Sequence, residues 1–252
     1  MRIGEDGLVR RPAYPWTATV HALLRHLREG GVEVPEPVSI ELGGATADGA
    51  AIGTEIVRLV PGVAGADVWP LQATDAGLRS AGRLLRAVHD AARTFVPPPD
   101  ASWPFPAVPG NALTILHGDP GPWNMAWRDG IAVGIFDWDL ARPGPALDDV
   151  AYALDYLAPL RDDADCLRWH GFDTVPDRSA RVRAFVEAYE LDLASMDVVA
   201  AVLARKRRTL DEVASLAARG MEPQRTWVAE GYLLTSAEHL AWADANAVGL
   251  LT

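Results

Sequence analysis

The chain has 252 residues, 49% of them hydrophobic and 23% charged, with a formal net charge of −11. This composition excludes a disordered polypeptide, and the acidic balance argues against a nucleic-acid partner, which would call for a basic face. Apolar runs such as Val198 to Ala204 fall far short of the ~20 residues that span a bilayer, so no membrane association is expected.

Cys166 is the only cysteine, which rules out an internal disulfide and a Cys-cluster metal site. The N-terminus, with Glu5 and Asp6, lacks a signal peptide's apolar stretch, and the reading is a cytoplasmic protein. The negative charge favours a cationic small-molecule partner over an anionic one.

In chain order, Leu8 to Arg11 reads as a strand stopped by Pro12, and Thr17 as the cap of a helix with apolar positions at Leu24 and Leu27 that ends at Gly30-Gly31. Val38 to Leu42 and Ile52 to Val60 read as strands separated by Gly43-Gly44 and Asp48-Gly49 turns. Pro61-Gly62 breaks the second. Thr74 to Ala92 then has helical spacing through Leu78, Leu84, Leu85 and Val88, and the proline-rich stretch from Pro97 to Pro109 reads as a loop. From Leu147 onward the pattern is helical, with Ala180 to Tyr189, Met196 to Ala218 and Thr226 to Ala247 as candidate helices.

The chemistry lies between these parts. Leu113 to Leu116 runs into His117-Gly118-Asp119-Pro120-Gly121-Pro122-Trp123-Asn124, where glycine and proline end regular structure and leave the polar groups on a loop at a strand end. Two apolar segments follow, Met125 to Arg128 and Ile131 to Phe136, joined by Asp129-Gly130, a strong signal for a tight hairpin. A two-residue connection places Asn124 opposite Ile135, so Asn124 and Asp137 fall within about one or two residue rows, on strands ~5 Å apart. An amide oxygen and a carboxylate suit Mg²⁺, whose remaining sites go to water and substrate phosphate. Asp119 is then left to accept a proton from an incoming hydroxyl.

The order His117-Gly118-Asp119 to Asn124, followed by Ile135-Phe136-Asp137-Trp138 and then Pro145-x-x-x-Asp149-Val150-Ala151, resembles the signature of aminoglycoside phosphotransferases and related small-molecule kinases. His89, in Leu84-Leu85-Arg86-Ala87-Val88-His89, resembles that family's Leu-His element behind the catalytic loop. The similarity runs over about Arg10 to Ala151.

The resemblance implies an α+β, protein-kinase-like, two-lobed fold. Residues 1–62 form a shortened N-terminal lobe that lacks the first strands and a glycine-rich loop. Residues 63–252 form a mainly helical C-terminal lobe with a catalytic loop at 117–124, a metal-site hairpin at 125–137 and an acceptor region at 147–252. The activity implied is transfer of the terminal phosphate of ATP or GTP to a small-molecule hydroxyl, with Mg²⁺ held by Asn124 and Asp137 and with Asp119 as the catalytic residue. His117, Asp149 and His89 support the loop, and Asp149 also caps a helix from Val150 to Leu157. The nucleotide is expected near Arg58 to Gly62, including Leu59 and Val60.

A kinase of this kind usually contacts the phosphates through a lysine on an N-lobe strand, but the only lysine here is Lys206, far along the helical region. Arg10 or Arg11 is expected in its place. Strand alternation lets only one of them reach the cleft, and resemblance to a related Val-Leu-Arg pattern favours Arg10. No partner carboxylate is evident on the following helix, where Val20 and His21 stand. The alternative reading is therefore a pseudokinase, or a nucleotide or small-molecule binding protein without transfer activity. Glu187, Glu190 and Asp192 are candidate contacts for substrate ammonium groups.

Overall fold

The structure is a computed structural model that describes residues 2–4, 6–43, 50–192, 197–246 and 249. The N-terminal part is an antiparallel sheet of β1 (Arg2–Ile3), β2 (Leu8–Ala13), β3 (Glu36–Leu42) and β4 (Gly53–Arg58), in the order β1-β2-β4-β3. A helix, α1 (Thr17–Glu29), lies between β2 and β3 in sequence. Its buried residues Val20, Leu23, Leu24 and Leu27 recur every three or four positions, which fixes one face of the helix on the core. Truncating any of these leucines to alanine should cost about 2–5 kcal/mol.

Three expectations shift here, and a fourth falls mostly outside the described residues. A two-residue strand, β1, precedes β2, so the sheet has a strand where none was expected. β2 also runs through Pro12, which sits opposite Thr54. β1 covers only Val9 and Arg10, leaving β2 an open edge at Pro12, and a sheet tolerates proline at an edge. Thr17 is the first helical residue rather than the cap, and its hydroxyl accepts from the Tyr14 amide upstream. Of the two glycine turns expected after β3, only Gly43 lies within the described residues.

The chain leaves β4 through Leu59 to Gly62 and enters a short helix, α2 (Trp69–Ala73), then the long α3 (Asp75–Ala92). Thr74 caps α3 by accepting from the Gly77 amide, and Leu78, Ala81, Leu85 and Val88 form its buried face. After the proline-rich loop come β5 (Leu113–Leu116), β6 (Met125–Arg128), β7 (Ile131–Ile135) and β8 (Arg142–Pro145). β6 pairs with β7, and β5 with β8, a strand that its two prolines and glycine concealed in the sequence.

The rest is helical: α4 (Leu147–Leu157), α5 (Asp163–Trp169), α6 (Arg178–Tyr189), α7 (Val198–Ala218), α8 (Gln224–Ala229) and α9 (Tyr232–Asn246). The single helix expected over Thr226 to Ala247 is divided at Gly231, whose positive φ of 93° ends α8; Ala247, like Met196, lies outside the described residues. No helix among the described residues is long and apolar enough to cross a membrane.

Backbone hydrogen bonds hold the β6–β7 hairpin to segments earlier in the chain. The Ile135 amide donates to the Glu33 carbonyl, and Val63 exchanges backbone hydrogen bonds with Trp127. Gly134 allows the approach, since a Cβ there would lie 2.7 Å from the Glu33 carbonyl oxygen and 2.8 Å from Val60 Cγ1.

Candidate active site

β5 delivers His117 to the start of the loop, and Asp149 holds it there from the first turn of α4. The Asp149 carboxylate accepts from the amides of His117 (2.6 Å) and Gly118 (2.9 Å) and contacts His89 Nε2 at 3.1 Å. His89 Nδ1 in turn meets the Tyr189 hydroxyl at 2.6 Å. All of this is buried. Burial alone would raise the Asp149 carboxyl, but the hydrogen bonds from His89 and Gly118 and the nearby imidazoles hold it below the ordinary value. α4 begins at Leu147, before Asp149, and has no side-chain cap. Asp149 therefore serves the amides of the catalytic loop, and its expected capping role is corrected.

His117 joins this loop to the hairpin. The Asp119 amide donates to its Nδ1 (3.2 Å), and its Nε2 lies 2.9 Å from the Phe136 carbonyl. These partners require a neutral ring protonated on Nε2, and burial, which lowers the imidazole pKa, agrees. Gly118 takes a positive φ of 88°, and a Cβ there would strike the Leu140 carbonyl. Glycine is thus needed between His117 and Asp119.

Asp119 is half-buried, yet its Oδ1 is shut off from solvent and has no hydrogen-bond partner among the described residues. Its Oδ2 accepts from Asn124 Nδ2 at 3.0 Å. Burial pushes this carboxyl up to about 7; the Tyr152 hydroxyl, Arg205 and Asn124 oppose the shift, and the charge of Asp137 adds to it. A carboxyl in that range can both take and release a proton near neutrality.

The hairpin is not regular. Arg128 faces Ile131 and Trp127 faces Ala132, but Ala126 faces Gly134 and Met125 faces Ile135, so Val133 is an extra, bulged residue. The expected pairing of Asn124 with Ile135 is therefore off by one. The Phe136 amide donates to the Asn124 carbonyl at 2.9 Å, which brings Asn124 one row nearer to Asp137. Asn124 commits its Nδ2 to Asp119, and Asp137 stands beside it with its side chain 46% exposed. The uncommitted amide oxygen and the open carboxylate are hard donors of the kind that hold Mg²⁺ together with water and phosphate oxygens.

Arg10 and Arg11 point to opposite faces of β2. The geometry reverses the preference between them: Arg10 turns outward to Asp6, while Arg11 faces the hairpin. The Arg11 guanidinium pairs with Asp137 (2.6 Å), Asp139 (2.9 Å) and Glu55. Glu55 is opposite Arg11 in the sheet register and is buried, with His21 Nε2 at 2.9 Å from its other oxygen. The carboxylate missing from the helix is thus supplied by β4, and the helix contributes His21 to hold it. Only the three-dimensional pairing of β2 with β4 reveals this, because the two residues are 44 positions apart.

Leu59 lies exposed on the connection, with its amide donating to the Gly7 carbonyl, and Val60 is buried against Gly134. Trp127 and Trp138 are packed in the core with their indole N–H groups donating to the Pro122 and Ile135 carbonyls. Glu187 and Glu190 do not reach the site; they pair with Arg79 and Arg86 across α6 and α3.

Sequence reasoning missed a charged layer behind the loop. Arg205, from α7, donates to the Gly118 carbonyl at 2.7 Å, and Asp148 and Glu212 are flanked by Arg142, Arg205 and Arg208. Next to it, α4, α7, α9 and the α4–α5 connection line a partly open pocket of about 140 Å³, whose walls include Tyr152, Asp155, Tyr156, Arg161, Lys206 and Tyr232.

A sheet with one helix, a linking segment, a catalytic loop stapled by a buried carboxylate and a helical remainder define a kinase-like phosphotransferase fold. Solved structures share it. The microcompartment-associated aminopropanol kinase superposes with a TM-score of 0.61 at 13% identity, over 97% of this chain and 86% of that one. The GDP and kanamycin complex of an APH(2") enzyme superposes with a TM-score of 0.56 at 15% identity, over 96% and 88%. The phosphotransferase enzyme family model, APH, matches residues 8–107 and 99–202, and the chain belongs to that family. A curated relative, the trifolitoxin immunity protein of Rhizobium leguminosarum bv. trifolii, is 33% identical over 189 residues, 73% of this chain and 68% of the relative.

Proposed function

We propose that this chain transfers the terminal phosphate of a nucleoside triphosphate to a hydroxyl group of a small molecule, with Mg²⁺ held by Asn124 and Asp137. The observation that carries this reading is the geometry of the loop, where Asp119 Oδ2 accepts from Asn124 Nδ2 at 3.0 Å close to the charge of Asp137, with burial raising the Asp119 carboxyl to about 7. When bound, the metal would neutralise phosphate charge.

The chain's own groups then divide the work. Asp119 orients the acceptor hydroxyl and takes its proton as the hydroxyl oxygen bonds to the terminal phosphorus; the bond from that phosphorus to the bridging oxygen breaks, and the nucleoside diphosphate leaves with the electron pair. Arg11 supplies the fixed positive charge that a lysine would otherwise bring, with a planar fork already held by three carboxylates. Asp149, His117 and His89 hold the loop, so that catalysis rests on positioning and electrostatics. The nucleotide lies between the sheet and the hairpin, near Leu59 and Val60, and the two lobes divide at Pro61-Gly62.

The GDP complex of the structural neighbour supports a nucleotide donor, and the names of the neighbours support a small hydroxylated acceptor. The test is Asp119→Ala. Nucleotide binding with Mg²⁺, measured by calorimetry, should persist while transfer falls by at least a hundredfold; retained transfer would remove Asp119 from its role.

A further inference from the structure

The pocket between α4, α7 and α9 has a charge that the chain as a whole does not. The net charge is −11, yet Asp155 is the one carboxylate among the residues lining the cavity, against Arg161, Arg205 and Lys206. Arg205 belongs to the layer behind the catalytic loop, where three guanidiniums meet two carboxylates. In the cavity itself, two cations share Asp155. Lys206 Nζ contacts both Asp155 oxygens, at 2.7 and 2.8 Å, and Arg161 Nη2 lies 3.4 Å from Oδ2.

This arrangement leaves cation capacity over. Both Lys206 contacts go to one carboxylate, so at least one of the three ammonium hydrogens remains for another acceptor. Arg161 Nε has no hydrogen-bond partner among the described residues. Both cations are largely but not fully covered; against the effect of burial, Asp155 and then Tyr156 hold Arg161 above its ordinary value, and a further anion would offset the remaining cost of covering Lys206. Burial holds Lys206 below the ordinary lysine value, and the charge of Arg161 pushes the same way against Asp155. His239, on the cavity wall, is lowered by burial and then by Arg161.

The cavity also adjoins the reacting carboxyl. Tyr152 lines it and bears on Asp119 through its hydroxyl, while Tyr156 and Tyr232 add polar tips on the same wall. We infer that the acceptor is an anionic hydroxy compound, its carboxylate or other anionic group seated between Arg161 and Lys206 and its hydroxyl reaching past Tyr152 to Asp119. This inference rests on the phosphotransferase reading and gives the acceptor a charge opposite to that of an amino alcohol or an aminoglycoside.

Three six-carbon polyols that differ only at C1 provide the probes: gluconate (anionic), glucitol (neutral) and glucamine (cationic). Each is titrated calorimetrically into the full chain with Mg²⁺ and a non-hydrolysable ATP analogue. The expected result is gluconate binding at least ten times tighter than glucamine, with the advantage lost in Lys206→Met. Equal or tighter binding of glucamine, or no gluconate binding below about 10 mM, overturns the inference.

A second readout needs no variant. Lys206 is the only lysine, so its acylation by a small amine-reactive reagent can be followed by peptide mass spectrometry in the wild-type chain. Gluconate should slow it severalfold and glucamine should not; equal rates with both overturn the proposal and leave the Lys206, Asp155 and Arg161 cluster a packing element. Binding of the nucleotide analogue in the same titrations separates the two levels. If the analogue fails to bind, the kinase reading fails; if it binds and gluconate does not, only the acceptor charge is wrong.

Discussion

Arg11 and Asp137 are 126 positions apart in sequence and 2.6 Å apart in space, and this ion pair joins the sheet to the catalytic hairpin. Arg11 also bonds Glu55, which is buried and whose other side-chain partner among the described residues is His21, so removing the guanidinium strands a buried carboxylate. Burial raises the Glu55 carboxyl, but Arg11 and then His21 bring it below the ordinary value.

Arg11→Ala should therefore cost about 3–5 kcal/mol of stability and weaken Mg²⁺-nucleotide binding at least tenfold. Arg10→Ala removes an exposed pair with Asp6 and should leave both stability and nucleotide binding essentially unchanged. Thermal unfolding and calorimetry on both variants check this, and an equal loss in the two would refute the assignment of Arg11 to the cleft.

Asp119 gives a pH signature of definite sign. Its carboxyl is raised from 3.8 to about 7 in the folded chain, so its contribution to stability is fully present below about pH 4 and is lost as pH rises through about 7. Asp119→Asn, which cannot ionise, should be more stable than the wild type at pH 8 by roughly 1–3 kcal/mol, and the gap should close toward pH 4. Wild-type transfer should rise with pH through an apparent pKa at or below about 7. Denaturant unfolding at the two pH values decides the first point, and the pH profile of kcat/KM the second.

Asp149 has the opposite linkage. Its carboxyl is lowered, so its stabilisation is present above the unfolded value of 3.8 and is lost as pH falls through the folded one. In Asp149→Asn, an amide NH₂ would face at least one of the donors that now bond the carboxylate, those of His117, Gly118 and His89. The expected cost is about 2–4 kcal/mol, with a fall in kcat larger than any change in nucleotide affinity. Unchanged kcat in the folded variant would contradict the role of Asp149 in holding the loop.

Deleting Val133 should restore a regular two-residue hairpin and move Asp137 one row away from Asn124. Mg²⁺-dependent nucleotide binding should then fall at least tenfold. Calorimetry with and without Mg²⁺ measures it, and unaltered metal dependence would show that the bulge does not set the spacing.

These residues also show what could be read from the sequence. The loop from His117 to Asn124 was legible because its spacing is local and glycine and proline mark its turns. The α3 start at Thr74 and the hairpin turn at Asp129-Gly130 were legible for the same reason. What escaped depends on register or distance. Glu55 is identified as the partner of Arg11 only when β2 is set against β4, and the bulge at Val133 leaves no composition signal. Arg205 reaches Gly118 across 87 positions, and β8 was masked by prolines that suggest a loop.

Gly134 has a consequence for how the site is held open. The strand leading to Asp137 passes Glu33 and Val60 so closely here that a single methyl group would intrude on a carbonyl oxygen and a valine at once. How closely the hairpin sits against this segment depends on the absence of one carbon atom, and any side chain at 134 would act as a wedge without touching Asp119, Asn124 or Asp137.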